Sequence, residues 1–140
     1  MGDDKILKQL PMVSRQIKRK MDEMFQKFEI TSTQALTLKF IDETSKHKKV
    51  YAKDIEIEFD MRRATIAGII QLMEQNKLIE RSSEETDARM KEIILTEKAL
   101  EKVHNIDLEM KKLEKQVSEN ISKEELSIFF DILSRMSKNL

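Results

Sequence analysis

The sequence has no cysteine, no tryptophan, one tyrosine, one proline and two glycines in 140 residues. Without cysteine there can be no disulfide, thiol nucleophile or thiolate metal site, which suits a reducing compartment. An all-β sandwich needs a turn signal every ~8–12 residues, so the scarcity of Gly and Pro excludes that class. Net charge is missing too, because 26 basic residues balance 26 acidic ones. Overall basicity therefore does not mark a nucleic-acid binder, and the high-net-charge signature of disorder is absent. No apolar run exceeds three residues, or five if Gly68 is counted within 66–70, whereas a membrane helix needs ~20. Met1-Gly2-Asp3-Asp4-Lys5-Ile6 carries no apolar h-region, and position 6 is not the Ser or Thr of a myristoylation signal. The expectation is a single helix-rich domain in the cytoplasm.

What is present is charge and helical periodicity, with 37% charged and 39% apolar residues. Ile6, Leu10, Val13, Ile17, Met21, Met24, Phe25 and Phe28 recur at 3–4 spacing and predict a helix kinked or restarted at Pro11. Thr31 and Gln34 fit a capping box opening a second helix with the stripe Ala35, Leu38 and Ile41. The polar run 42–49 is expected to be a connector. Ile55 and Phe59 mark a short helix. Ile66, Ile69, Ile70 and Met73 mark a longer one after Asp60-Met61, and the pair forms a helix-turn-helix pattern.

Leu78-Ile79-Glu80-Arg81 and the segment 92–96 then read as two strands around a charged loop, a projecting wing. Thr96 caps a long helix of ~22–25 residues, in which Val103, Ile106, Met110, Leu113 and Val117 keep heptad spacing. Ser122 and Glu125 form a second capping box before Ile128, Phe129, Ile132, Leu133, Met136 and Leu140. The fold class is mainly α, of α+β type, with apolar stripes at both ends too extensive for a small winged body to bury alone.

Local basic clusters do exist: Lys46, Lys48, Lys49 and Lys53; Arg62 and Arg63; Arg81, Arg89 and Lys91. On the helix after Asp60-Met61, Ile66, Ile70 and Met73 are the anchoring side, while Arg62, Arg63, Thr65 and Gln71 face outward. Arg reads guanine bidentately, Gln reads adenine, and Thr meets phosphate or a thymine methyl. Gly68 costs about 1 kcal/mol relative to Ala inside a helix, and close approach of its backbone to a groove would explain it. Cations at a helix N-terminus oppose the dipole, which favours an external anion over a merely solvated turn. Thr31, Ser32, Thr33 and Gln34 suit either a bound phosphate or an ordinary cap. The lysine cluster suits either a solvated face or phosphate contacts. His104, with Glu101 and Asp107 at i±3, reads as a solvated helix face before a cation site. With no Ser–His–Asp set, phosphate-cradling Gly loop or paired carboxylates, no enzyme activity, catalytic residue, metal or cofactor is expected.

Asp87-Ala88-Arg89, Lys91 and Ile94-Leu95-Thr96 resemble the wing signature of the MarR family of winged-helix transcriptional regulators. Thr65-Ile66-Ala67 through Met73-Glu74 and Leu78-Ile79-Glu80-Arg81 are similar to its recognition helix and first wing strand. Ile30-Thr31 with Gln34 and Leu38 resembles the start of its second helix. The chain departs from the pattern at Lys77 and Ala99, where the family usually has Gly, at Glu56, commonly Ala, and in the acidic Glu84, Glu85 and Asp87 of the wing.

The resemblance implies one regulator domain over 1–140, with a DNA-binding winged helix at 31–96 and dimerisation helices at 1–28 and 97–140. Its function would be a homodimeric repressor on a pseudo-palindromic double-stranded DNA operator. The residues expected at DNA are Arg62, Arg63, Thr65, Gly68, Gln71, Arg89, Lys91, Thr33 and Lys53. Arg89 would enter the minor groove, with Asp87 orienting the wing through Arg81. The resemblance also implies a small aromatic or phenolic effector lined by Met12, Ile17, Met21, Leu38 and His104. The alternative is a helical protein-interaction or scaffold protein whose winged helix no longer binds DNA. Lacking cysteine, the chain cannot respond to peroxide through a thiol. Gel shifts with peroxide and then dithiothreitol are expected to show no thiol-reversible release from DNA.

Overall fold

A computed structural model of the chain describes residues 5–82 and 86–140. In order, the helices and strands are α1 (Ile6–Gln26), α2 (Ser32–Ser45), α3 (Ala52–Phe59), α4 (Arg63–Gln75), β1 (Ile79–Arg81), β2 (Ile93–Leu95), α5 (Glu97–Val117) and α6 (Lys123–Lys138). A 3-10 turn, Ala88–Met90, lies between the strands. The strands are antiparallel, with Ile79 opposite Leu95, Glu80 opposite Ile94 and Arg81 opposite Ile93. The chain forms two compact units, Met1–Asp107 and Leu108–Leu140, and the boundary falls inside α5.

The helix does not restart at Pro11, since α1 runs through it. The proline removes only the donor that would have met Leu7. Upstream, Lys8 and Gln9 donate to the Lys5 carbonyl at 3.1 and 2.9 Å and hold the first turn. The expected connector at 42–49 is shorter, because α2 continues to Ser45. Its last turn is held by the Ser45 hydroxyl donating to the Asp42 carbonyl at 3.0 Å, and by Lys46 3.7 Å from the Asp42 carboxylate. The capping box at Thr31 and Gln34 forms as the sequence predicts, each backbone N–H donating to the other's side chain at 3.1 Å.

The core of the first unit draws one or more side chains from each helix and from β1: Phe25, Leu38, Ile41, Ile55, Ile66, Ile70, Met73, Ile79 and Ile106. Burying each of the larger ones contributes roughly 1.5–3 kcal/mol. Ile66, Ile70 and Met73 are the buried residues of α4, so that helix is fixed by one stripe. The turn before it closes at Asp60, whose φ of 49° is left-handed, a conformation Asp tolerates. Met61 then donates to the Glu56 carbonyl at 3.1 Å.

After α4 the left-handed residue is Lys77, at φ 59°, while Asn76 stays at φ −81°. The family's glycine conformation is thus adopted by the lysine itself. Three bonds hold it there. Lys77 donates to the Glu74 carbonyl at 3.0 Å and Leu78 to the Met73 carbonyl at 2.9 Å, a Schellman-type closure. The Thr96 hydroxyl donates to the Lys77 carbonyl at 2.7 Å. That same oxygen accepts from Ala99 N–H at 3.2 Å and caps α5, so one hydroxyl ties the exit of α4 to the start of α5.

In the second unit the Ser122 capping box is present, with bonds of 2.9 and 3.1 Å. α6 has no buried residue; Ile128, Phe129 and Phe130 are 59%, 46% and 58% exposed. In the first unit, Ile6 and Leu7 of α1 are likewise exposed.

Two substitutions test the Lys77–Thr96 junction. Lys77→Gly removes the steric cost of a left-handed side chain and is expected to stabilise by up to about 1 kcal/mol. Thr96→Val strips a cap and a carbonyl partner and is expected to destabilise by about 1–3 kcal/mol. Urea unfolding midpoints measure both.

Candidate nucleic-acid interface

With Ile66, Ile70 and Met73 turned inward, Arg62, Arg63, Thr65, Gly68 and Gln71 are all exposed on α4 and its N-cap. The side chains of Arg62 and Arg63 make no hydrogen bond or close ion pair among the described residues, although the charge of Arg63 is felt at Asp87. A Cβ built on Gly68 meets nothing within 4 Å. Packing inside the chain therefore does not call for glycine, although it weakens the helix.

The structure revises the wing. Asp87 was expected to act through Arg81. Instead its carboxylate accepts from the Arg89 backbone at 3.0 Å and from the Arg89 guanidinium at 3.4 and 3.2 Å. The Arg89 backbone N–H first, then its guanidinium and the nearby Arg63, hold the Asp87 carboxyl below its ordinary range. The physical cause is local. An Asp readily accepts from the backbone N–H two residues on, and the turn Ala88–Met90 carries the Arg89 side chain back over it. That turn packs against α3, so Arg89 is folded toward the helix-turn-helix and not held out at a projecting tip. Arg81 instead faces α4, its Nε 3.9 Å from Glu74. Glu84 and Glu85 lie outside the described residues. Arg63, Arg81 and Arg89 share a cavity of about 160 Å³ with Glu56 and Asp87, which puts the departure at Glu56 beside the interface.

The N-terminus of α2 does not offer the phosphate cradle that its hydroxyls suggest. Ser32 N–H donates to the Asp22 carboxylate at 3.2 Å, and the Thr31 and Gln34 amides are spent on the capping box. An anion already sits there, supplied by α1 and paired with Lys18 at 3.0 Å. Thr33 is half-buried beside it. In the lysine cluster, Lys46 faces Asp42 and Lys48 lies 2.6 Å from Asp54, while Lys53 is exposed and Lys91 half-buried.

The residues expected to line an effector site differ widely in burial. Leu38 is fully buried in the core, at the centre of the α2 stripe, and presents no surface to a ligand. Met12 and His104 are exposed, and Ile17 and Met21 half-buried. A concavity of about 600 Å³ is an open groove formed by 45–50, 92–95 and Leu100; none of the five lines it. Asp107 is committed to Lys39 at 2.9 Å, a bond that raises the lysine's affinity for its proton. Among the described residues no His/Asp/Glu cluster could hold a metal.

The Asp22 cap and the packing of the 3-10 turn were not visible in the sequence. Asp22 is ten positions from Ser32, with no local pattern to pair them, whereas the Asp87–Arg89 spacing is itself an Asx-turn signal. Asp22 supplies a pH test. The Ser32 hydrogen bond and then Lys18 lower its pKa in the folded chain. Its contribution is therefore complete above the ordinary carboxylate pKa of about 3.9 and lost as pH falls toward the lower folded value. Asp22→Asn is expected to be less stable at pH 7 and to lose less stability between pH 5 and 3. Thermal melts across that range check the slope.

No family model matches the chain, and no curated protein matches it by sequence. Solved structures do. The transcription regulator MarR from Oenococcus oeni PSU-1 is 29% identical with a TM-score of 0.83, over 96% of this chain and 99% of that one. MepR of S. aureus, in a complex with DNA, is 23% identical with a TM-score of 0.88 over 99% of both. A Staphylococcus aureus MarR in complex with salicylate and kanamycin is 21% identical with a TM-score of 0.75, over 91% and 84%. The chain thus shares the fold of MarR-type winged-helix transcription regulators along nearly its whole length, and its Asp87-Ala88-Arg89 running into Ile94-Leu95-Thr96 is similar to their wing signature.

Proposed function

We propose that the chain is a sequence-specific transcription regulator that binds duplex DNA as a homodimer and represses from a pseudo-palindromic operator. It is a binding protein and not a catalyst, and it works in the cytoplasm. The observation that carries the reading is α4, anchored by one buried stripe, bare on the opposite face, with two uncommitted arginines at its start. Laid in a major groove, that helix puts Arg62 and Arg63 near base edges or phosphates, Thr65 and Gln71 over bases, and the Gly68 backbone close to the groove floor. Lys53 and Thr33 approach the flanking backbone. Arg89, once released from Asp87, and Lys91 serve the adjacent minor groove, where narrow A·T segments attract arginine. The solved MepR–DNA complex, which shares the fold, supports the same use.

Dimerisation follows from the exposed apolar faces of α1 and α6, since contiguous apolar surface of that kind marks a partner. An obligate homodimer buries roughly 2,000 Å² or more, and its two-fold axis would set the recognition helices about 34 Å apart. An aromatic or phenolic acid such as salicylate, the ligand named with the S. aureus MarR, would act by favouring one separation of those helices. The scaffold alternative leaned on an acidic wing, and it is weakened where Asp87 is neutralised by Arg89.

Sedimentation is expected to give a dimer at micromolar concentration, and fluorescence anisotropy a specific complex with the chain's own upstream DNA. Arg62→Ala or Arg63→Ala should cost about 1–3 kcal/mol where either reads a base, with altered preference. Arg89→Ala should weaken binding with little change in major-groove preference. Binding should fall steeply with salt as phosphate contacts release counterions. Unchanged affinity in all three variants overturns the assignment. Calorimetry with salicylate, with and without operator, should show unequal affinities, and equal ones remove the effector.

A further inference from the structure

The outward centre of α4 carries no charge. Counting 100° per residue from the anchors Ile66, Ile70 and Met73, the positions farthest from the core are Ala64, Gly68, Gln71 and Gln75, all exposed. Along one flank stand Thr65, also exposed, and Leu72, 54% exposed although it is a large apolar side chain. The opposite flank belongs to the wing: Arg63 and Ala67 line the cavity shared with Arg89, and Glu74 faces Arg81. Past Arg63, then, the surface that meets a groove offers a methyl group, bare backbone, carboxamides, a hydroxyl and a leucine.

That inventory constrains what can be read. Guanine is selected by the fork of Arg or by Lys at its O6 and N7 edge, and cytosine by a carboxylate accepting from N4. No cation stands on the groove face past Arg63, and Glu74, the one carboxylate on the body of the helix, is turned to Arg81. What remains fits the other base pair. The Gln71 carboxamide matches adenine N6 and N7, and the apolar surfaces of Ala64, Thr65 and Leu72 match the thymine methyl. Because nothing stands within 4 Å of the missing Gly68 side chain, the backbone can come close enough for these short side chains to reach.

We propose that each half-site bound by this chain is A·T-rich along the body of α4, with guanine selected only at its N-terminal end by Arg62 or Arg63. Leu72 and Ala64 are specificity-determining through thymine methyls, and Gln71 through adenine. The inference rests on the DNA-binding reading above.

Selection of the full-length dimer on a random duplex library, followed by anisotropy on single-base variants, tests it. The expected half-site has consecutive A·T pairs, each change to G·C weakening binding roughly 5–150-fold. Gln71→Ala should erase the adenine preference at one position, and Leu72→Ala should erase a thymine preference nearby. Gly68→Ala should melt no lower than the parent chain yet bind every sequence more weakly. A selected half-site with G·C pairs under the body of α4, or a Gln71→Ala variant with an unchanged consensus, overturns the inference while the regulator reading stands. Enrichment of no sequence at all overturns both.

Discussion

Burial of Ile66, Ile70 and Met73 on one stripe of α4 is the constraint on which the rest depends. Three large side chains taken fully out of water contribute several kcal/mol together, and they leave the helix no freedom to rotate about its axis. The outward face is thereby determined without any residue on it having to earn its place by packing. That face can carry residues poor for stability, such as Gly68 and adjacent arginines at a helix N-terminus, because the anchors opposite more than offset their cost. A one-residue slip would turn every reader by about 100°, so the spacing of the buried residues is as much part of the interface as the exposed ones are.

The second constraint acts at the exit of α4. Lys77 is held left-handed by a closure that sends the chain straight into β1, and Thr96 fastens that corner to the first turn of α5. The recognition helix, the wing and the start of the long helix therefore share one hydroxyl. While the Thr96 bonds hold, a displacement of the first turn of α5 is passed to the exit of α4. Packed elements with discrete arrangements transmit a small shift in this way, where a deformable loop would absorb it.

Much of this was legible in the sequence because the signals are local. Capping boxes at Thr31 and Ser122, the 3–4 spacing of anchors and the Asp87-x-Arg89 motif each involve residues within a turn or two, where steric and hydrogen-bond rules act directly. The errors came from longer range or from competition. Helical periodicity carries α1 through Pro11, since a proline near a helix start removes a single donor. The hydroxyls at α2 looked free until α1 brought Asp22 to Ser32, a pairing no local rule encodes. Leu38, expected at a ligand, is committed to the core by its place in the α2 stripe. Arg81 and Asp87 each had a nearer partner than the one their shared wing suggested.

A chain of zero net charge has to solve DNA association differently from a basic one. Long-range attraction scales with the field of the whole protein, and here it is close to nothing, so encounter depends on charges within about a Debye length of ~8–10 Å. The structure sorts those charges. Lys46, Lys48, Arg81 and Arg89 already face carboxylates, whereas Arg62, Arg63 and Lys53 stand exposed around the helix-turn-helix with no ion pair among the described residues. An arginine that must leave Asp87 to reach a phosphate gives up one ion pair to make another and adds little net attraction. The uncommitted cations must therefore supply most of the sequence-independent affinity. Being few, they leave non-specific binding weak and place a larger share of the discrimination on the uncharged surface of α4.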